Sequence, residues 1–247
     1  MKNETTIFGI RAIIEAIKSG KSIDKVFVQK GLQSNLFKEL EQLLKSESIS
    51  SSYVPIEKLN HLTKGNHQGI IAKISPIEFY DIDSLIDRAL KSKKKPLFLI
   101  LDQLTDVRNF GAIVRTAECT GVSGIIIQKR GGAPINGDTV KTSAGAVFKI
   151  PICKVDHIKD AVFYLQSSDI NVIAATEKAN DLIYDISFTK PCAIIMGSEN
   201  KGIKPSVLKI VDQKVKLPIV GDIESLNVSV AAGAILYEAV RQRLKNI

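Results

Sequence analysis

Tryptophan is absent from the 247 residues, cysteine and histidine occur three times each, and methionine occurs twice. Cys119, Cys153 and Cys192 are isolated and odd in number, with no metal-spaced partner. That excludes a disulfide framework and a zinc site, and predicts small buried hydrophobes. His61, His67 and His157 fall in no metal-ligand spacing either, so no metal is expected. No apolar run reaches the roughly 18 residues that a membrane span requires, and no charged-then-apolar leader opens the chain. A cytoplasmic protein with no membrane partner is the expectation. Aromatics at 6% make extensive base stacking a poor prediction. Nucleotide signatures fail as well: no G-x-G-x-x-G follows a strand, and no G-x-S-x-G elbow is present. Gly20-Lys21-Ser22 resembles the end of a phosphate-binding P-loop, but Glu15 stands where that loop needs glycine.

What is present is an ordinary globular composition, 45% hydrophobic and 24% charged, with a basic excess of +8. The excess is densest over residues 1–75, and it favours a polyanionic partner such as RNA or DNA.

The chain divides into an α/β unit over 1–75, a linker over 76–96 and a larger α/β domain over 97–247. In the first unit Ile7, Ile10, Ile13, Ile14 and Ile17 recur at helical spacing and stop at Ser19-Gly20. Residues 25–29 and 69–74 read as strands, and 36–44 as a second helix. The linker carries Asp81, Asp83 and Asp87, then a lysine run closed by Pro96. Beyond it, uninterrupted apolar runs at 97–101, 125–127, 172–175, 193–196 and 215–219 alternate with helical or loop stretches. Strands apolar on both faces imply a mainly parallel sheet covered by helices. The last helix, 226 to 244, is apolar around much of its circumference, more than one sheet face requires.

Ligands of open α/β sheets bind at the carboxyl ends of strands. Polar, glycine-bearing segments follow three of the predicted strands there: 102–117, 197–202 and 220–229. Taken singly, their residues have plain structural readings. Asn109, Ser225 and Asn227 suit helix caps, Arg115 can pair with Glu118 one turn on, and Glu199 suits a solvated turn.

Together they carry a resemblance. Asn109-Phe110-Gly111-Ala112-Ile113-Val114-Arg115-Thr116-Ala117, Met196-Gly197-Ser198-Glu199-Asn200-Lys201-Gly202, and Leu217-Pro218-Ile219 through Ser225-Leu226-Asn227-Val228-Ser229-Val230-Ala231-Ala232 resemble the three ordered motifs of the SpoU/TrmH-type RNA ribose 2′-O-methyltransferases, in the SPOUT superfamily. Residues from Phe8-Gly9-Ile10 to His67-Gln68-Gly69-Ile70 resemble the small ribosomal-protein-like (L30e-like) substrate-binding domain of the 23S rRNA (guanosine-2′-O-)-methyltransferases. The resemblance implies a SPOUT domain with a deep trefoil knot, S-adenosyl-L-methionine as cofactor, large-subunit ribosomal RNA as partner, and a homodimer. Carried over by position, Gly197, Leu217 and Leu226 contact the cofactor. Asn109, Arg115, Glu199, Ser225 and Asn227 form the catalytic and substrate-positioning set. Arg11, His61, Lys64, His67, Lys129 and Arg130 are candidate RNA contacts. Val107 departs from the pattern, standing where many relatives have proline.

The expected reaction needs alignment of two reactants and management of one proton, and no metal. A guanidinium with a pKa of about 12.5–13.8 makes a poor base at neutral pH. Arg115 is therefore expected to stay charged, holding phosphate and stabilising the developing alkoxide. Two alternatives remain open at the level of sequence: a tRNA ribose methyltransferase of the same fold, and a non-catalytic RNA-binding ribosome-assembly factor.

Overall fold

The computed structural model describes residues 6–92, 95–198, 201–222 and 225–244. Contacts within it divide the chain into two units, residues 1–78 with Pro134–Gly137, and residues 79–133 with 138–247.

The first unit contains β1 (Thr6–Phe8), α1 (Ile10–Lys18), β2 (Ile23–Gln29), α2 (Asn35–Ser46), β3 (Ser51–Val54), α3 (Ile56–Leu62) and β4 (Ile70–Ile74). The sheet order is β1-β4-β2-β3. Alternation along β2 explains its two-sided packing. Val26 and Val28 join Ile13, Ile14 and Leu40 under α1 and α2, while Phe27 turns to the other face with Val54, Leu59 and Ile71. Ile7, expected in the first helix, lies instead in β1, paired with Ala72. Gly9 has φ 89, a conformation that separates strand from helix and that other residues rarely adopt.

The second unit contains α4 (Ile82–Leu90), β5 (Leu97–Asp102), α5 (Val107–Cys119), β6 (Gly124–Gln128), α6 (Gly137–Thr142), β7 (Ile152–Val155), α7 (Ile158–Ser167), β8 (Asn171–Ala175), β9 (Asp181–Leu182), β10 (Cys192–Gly197), α8 (Pro205–Leu208), β11 (Gln213–Lys216) and α9 (Val228–Leu244). Among the described residues, seven strands form one sheet in the order β7-β6-β5-β10-β8-β11-β9, and every pairing is parallel. Every residue of β5 is buried, which is why the apolar run shows no alternation. Phe98 and Ile100 meet α4 and α7 on one side. On the other side α5 packs against α9.

The segment expected as a linker thus contributes a core helix. Leu85, Ile86 and Ala89 of α4 are buried with β5, β6 and α7, and a Cβ on Gly124 would run into Leu85. Its acidic and lysine content concealed an amphipathic stripe only one face wide. The last predicted strand also ends early: β11 stops at Lys216, and Leu217 to Ile219 leave the sheet, Pro218 having no N–H to donate. Cys153 and Cys192 are buried as expected, whereas Cys119, in the last turn of α5, is exposed.

The far end of α9 is anchored by side chains. Arg243 donates to the carbonyls of Phe188, Lys95, Pro96 and Lys190, and Gln242 both donates to Ile186 O and accepts from Phe188 N. These bonds tie the helix to the entry points of β5 and β10. Among the described residues, no helix is long and apolar enough to cross a membrane.

Candidate active site

At the carboxyl ends of β8, β10 and β11 the sheet opens into a small cleft of about 110 Å³. Met196, Leu217, Leu226 and Ile235 give it apolar surface, while Thr176, Glu177, Lys216 and Ser225 add polar groups. Such a lining suits a ligand with an apolar plane and a charged or hydroxylated part. Leu217, Ser225 and Leu226, candidate site residues from sequence, line this cleft. Ala175, Thr176 and Glu177 were missed; they follow the β8 apolar run, the signal that located the other segments.

Gly197, expected at the cofactor, is not among the residues that line this cleft. It stands one residue beyond Met196, and a Cβ there would overlap the backbone of Gly202 and Ile203. The glycine lets Gly202 and Ile203 pack against the strand end, where Gly202 N donates to Ser198 O at 2.8 Å. Glu199 lies outside the described residues.

Asn109 and Asn227 are brought together. Asp106, rather than Asn109, caps α5, its Oδ1 accepting from Asn109 N at 2.8 Å. The Asn109 side chain is thereby available to accept from Asn227 Nδ2 at 3.1 Å. Asn227 in turn caps α9, its Oδ1 accepting from Ser229 N at 2.9 Å and Ser229 Oγ at 2.6 Å. Asn227 therefore caps one helix and links it to another. Arg115 projects from α5 into solvent. The alternative partner, Glu118, faces Lys149 Nζ at 3.8 Å.

A second, more polar cleft adjoins the ends of β5 and β10, lined by Gln103, Leu104, Thr105, Asp106, Gly131, Ser198 and Lys201. Gln103 holds a left-handed φ of 60, uncommon for a residue other than glycine, asparagine or aspartate. Beneath it lies Asp102, fully buried, accepting from Lys204 N at 2.9 Å.

Of the candidate RNA contacts, Arg11, His61, Lys64 and Arg130 are exposed. His67 is not: it is buried, its Nδ1 accepting from Gly69 N at 3.0 Å and its Nε2 lying 2.8 Å from Asn60 Oδ1. Since Nδ1 accepts, the proton sits on Nε2, and both ring nitrogens are spent on holding the turn before β4. Lys129 is paired with Asp156 at 2.9 Å.

The profile of the SpoU rRNA Methylase family matches residues 96–237, and that of RNA 2′-O ribose methyltransferase substrate binding matches residues 6–80. The chain belongs to the SpoU methylase family. It is an RNA 2′-O-ribose methyltransferase by that membership. The Bacillus subtilis (strain 168) protein YacO, named as a TrmH family tRNA/rRNA methyltransferase, is 33% identical over 96% of this chain and 95% of its own. The SpoU methyltransferase AviRb from Streptomyces viridochromogenes, solved in complex with AdoMet, is 25% identical with a TM-score of 0.61, covering 97% of this chain and 90% of that one. The structure of the A. aeolicus TrmH/SpoU tRNA modifying enzyme is 30% identical with a TM-score of 0.58 and covers 67% of this chain and 85% of that one. In this methylase the three motifs named from sequence meet at the carboxyl edge of one sheet.

Proposed function

We propose that the methylase acts in the cytoplasm as a homodimer, transferring the methyl group of S-adenosylmethionine to the ribose 2′-hydroxyl of a guanosine in large-subunit (23S) ribosomal RNA. The observation that carries the choice of RNA is the complete α/β unit ahead of the methylase unit, matched by a substrate-binding profile over residues 6–80. The tRNA-modifying structure matches 67% of this chain, so a third of it goes to something that enzyme does not share. In this reading residues 1–75 hold the RNA, with Arg11, His61 and Lys64 as phosphate contacts, and residues 97–247 carry the chemistry, with Arg130 as a further phosphate contact.

The cofactor fits the first cleft. Met196, Leu217, Leu226 and Ile235 offer apolar surface to an adenine plane, and the Glu177 carboxylate offers a counter-charge to a cationic ligand. When bound, the cofactor supplies an electrophilic methyl on a positively charged sulfur. The rest falls to this chain's residues. Ser225 borders that cleft, and the Asn109–Asn227 link fixes the start of α9 beside it. The polar cleft next to it, with Gln103, Thr105, Ser198 and Lys201, receives the target nucleotide. Arg115 holds a ribose phosphate and stabilises the developing alkoxide, the proton passing to a neighbouring RNA phosphate or water. The trefoil knot belongs to the same reading. It is supported by a chain that runs from central β10 out to β11 and returns as α9 against α5. The exposed Val230 and Tyr237, one heptad apart on α9, support the dimer face.

The test is methyl transfer from labelled S-adenosylmethionine to unmodified total rRNA and tRNA, with digestion to nucleosides. Label in 2′-O-methylguanosine of large-subunit rRNA, lost in Arg115→Ala, is the expected result. Label confined to tRNA would replace the substrate, and tight cofactor binding with no transfer would favour the non-catalytic assembly role.

A further inference from the structure

Asp102 ends the central strand β5, is fully buried, and pairs in register with Gly197 of β10. Its Oδ2 accepts from the backbone N–H of Lys204 at 2.9 Å. Its Oδ1 has no hydrogen-bond partner among the described residues, but the Lys204 ammonium lies 3.7 Å away. That ammonium donates to Gln128 Oε1 at 3.2 Å, at the end of β6. One residue thus gives both its main chain and its charge to a single buried carboxylate.

The location of this pair gives it a consequence. Lys204 is where the loop after β10 rejoins the fold, and Gly197, the register partner of Asp102, is where the loop departs. Between them Ser198 and Gly202 close the loop's neck as an isolated bridge, and Lys201 N reaches Ser198 Oγ at 3.3 Å. Ser198 and Lys201 line the polar cleft. A buried carboxylate with one direct hydrogen bond is costly unless its counter-charge stays in place, so displacement of Lys204 is penalised more heavily than loss of a surface pair would be.

We propose that Asp102 and Lys204 are a positioning pair, fixing Ser198, Lys201 and Gly202 and through Ser198 and Lys201 the wall against which the target nucleotide is aligned. This rests on the assignment of the polar cleft to the target nucleotide. Neither residue touches the reacting atoms. Their effect is on alignment, where a displacement of about 1 Å costs on the order of a hundredfold in rate.

The test compares Lys204→Met, Asp102→Asn and the double variant with the wild-type chain, by amide hydrogen exchange and by steady-state kinetics. Lys204→Met keeps the backbone bond but leaves Asp102 uncompensated. Exchange at Lys201, Gly202 and Lys204 is expected to accelerate about tenfold or more while the β5 and β10 amides stay protected. The kcat is expected to fall about tenfold or more, with the cofactor Kd and the RNA KM within about twofold of wild type. The double variant removes the orphaned charge, so it is expected to regain most of the protection and the rate, and to fold even if Lys204→Met does not. Unchanged exchange in Lys204→Met, or a double variant no better than the worse single one, overturns the proposal. A wild-type chain that methylates no RNA would sink the functional reading instead, and the exchange comparison would still decide whether the pair fixes the loop.

Discussion

Asn227 donates from Nδ2 to Oδ1 of Asn109 at 3.1 Å, joining the start of α9 to the first turn of α5 across 118 positions of sequence. The same residue caps α9 with its oxygen. Its amide is therefore divided, the acceptor end serving its own helix and the donor end serving the other motif.

That division can be cut at one end. Asn227→Asp keeps an oxygen for the cap, at which asparagine and aspartate are nearly equal, but sets a carboxylate oxygen against Asn109 Oδ1. Stability by denaturant titration is expected to stay within about 0.5 kcal/mol of wild type, while kcat falls about tenfold or more. Equal losses in stability and rate would mean the contact is structural only.

Gly197→Ala places a methyl group in the backbone of Gly202 and Ile203. Backbone at that distance has no rotamer to change, so the loop must move. A loss of at least about 2 kcal/mol in unfolding free energy is expected, together with weakened cofactor binding by calorimetry. A variant as stable as wild type would show that the loop has another position available.

His67→Leu separates a structural histidine from an RNA contact. Gly69 N and Asn60 Oδ1 both lose their partner, at a cost of about 1–3 kcal/mol. The salt dependence of RNA binding, which counts phosphate contacts, is expected to be unchanged at temperatures where the variant is folded. A shallower salt slope would return His67 to the interface.

The cysteines should differ in reactivity. Burial, aided by Asp81 and only partly opposed by Lys129, pushes the Cys153 thiol up to about 12, and burial raises Cys192 as well. Alkylation of the native chain at pH 8 is expected to label Cys119 alone, and all three after denaturation. Because the folded pKa of Cys153 lies above its ordinary 9.0, its contribution to stability is complete below about pH 9 and is lost as pH rises toward 12. A base titration of unfolding free energy that stays flat over that window would contradict the burial.

The sequence was most informative where burial is uniform and motifs are contiguous. The apolar runs at 97–101 and 193–196 became β5 and β10, neighbours at the centre of the sheet, and Leu217, Ser225 and Leu226 line the cleft at its carboxyl edge. It was least informative where one face alone is apolar or where partners are distant. Helix α4 was obscured by its charged face, and β7 is a four-residue strand that owes its place to β6. His67 looked like an exposed ligand because nothing local announces that Asn60 and Gly69 will enclose it. Nor does spacing reveal that Asp106 would take the cap and leave the Asn109 side chain for Asn227. The Asp102–Lys204 pair spans 102 positions and emerges only once the strands are in register.

The anchoring of α9 also governs the order in which the protein can be completed during synthesis. Arg243 holds the carbonyls of Lys95, Pro96, Phe188 and Lys190, and it lies in the helix's last turn. A nascent chain that has already emitted every strand of the sheet still lacks the clamp on the entry points of β5 and β10. The cap at Asn227 and the apolar cleft lined by Ser225 and Leu226 are likewise unfinished until α9 emerges from the ribosome. The methylase unit therefore closes only once α9, the element after its last described strand, has emerged.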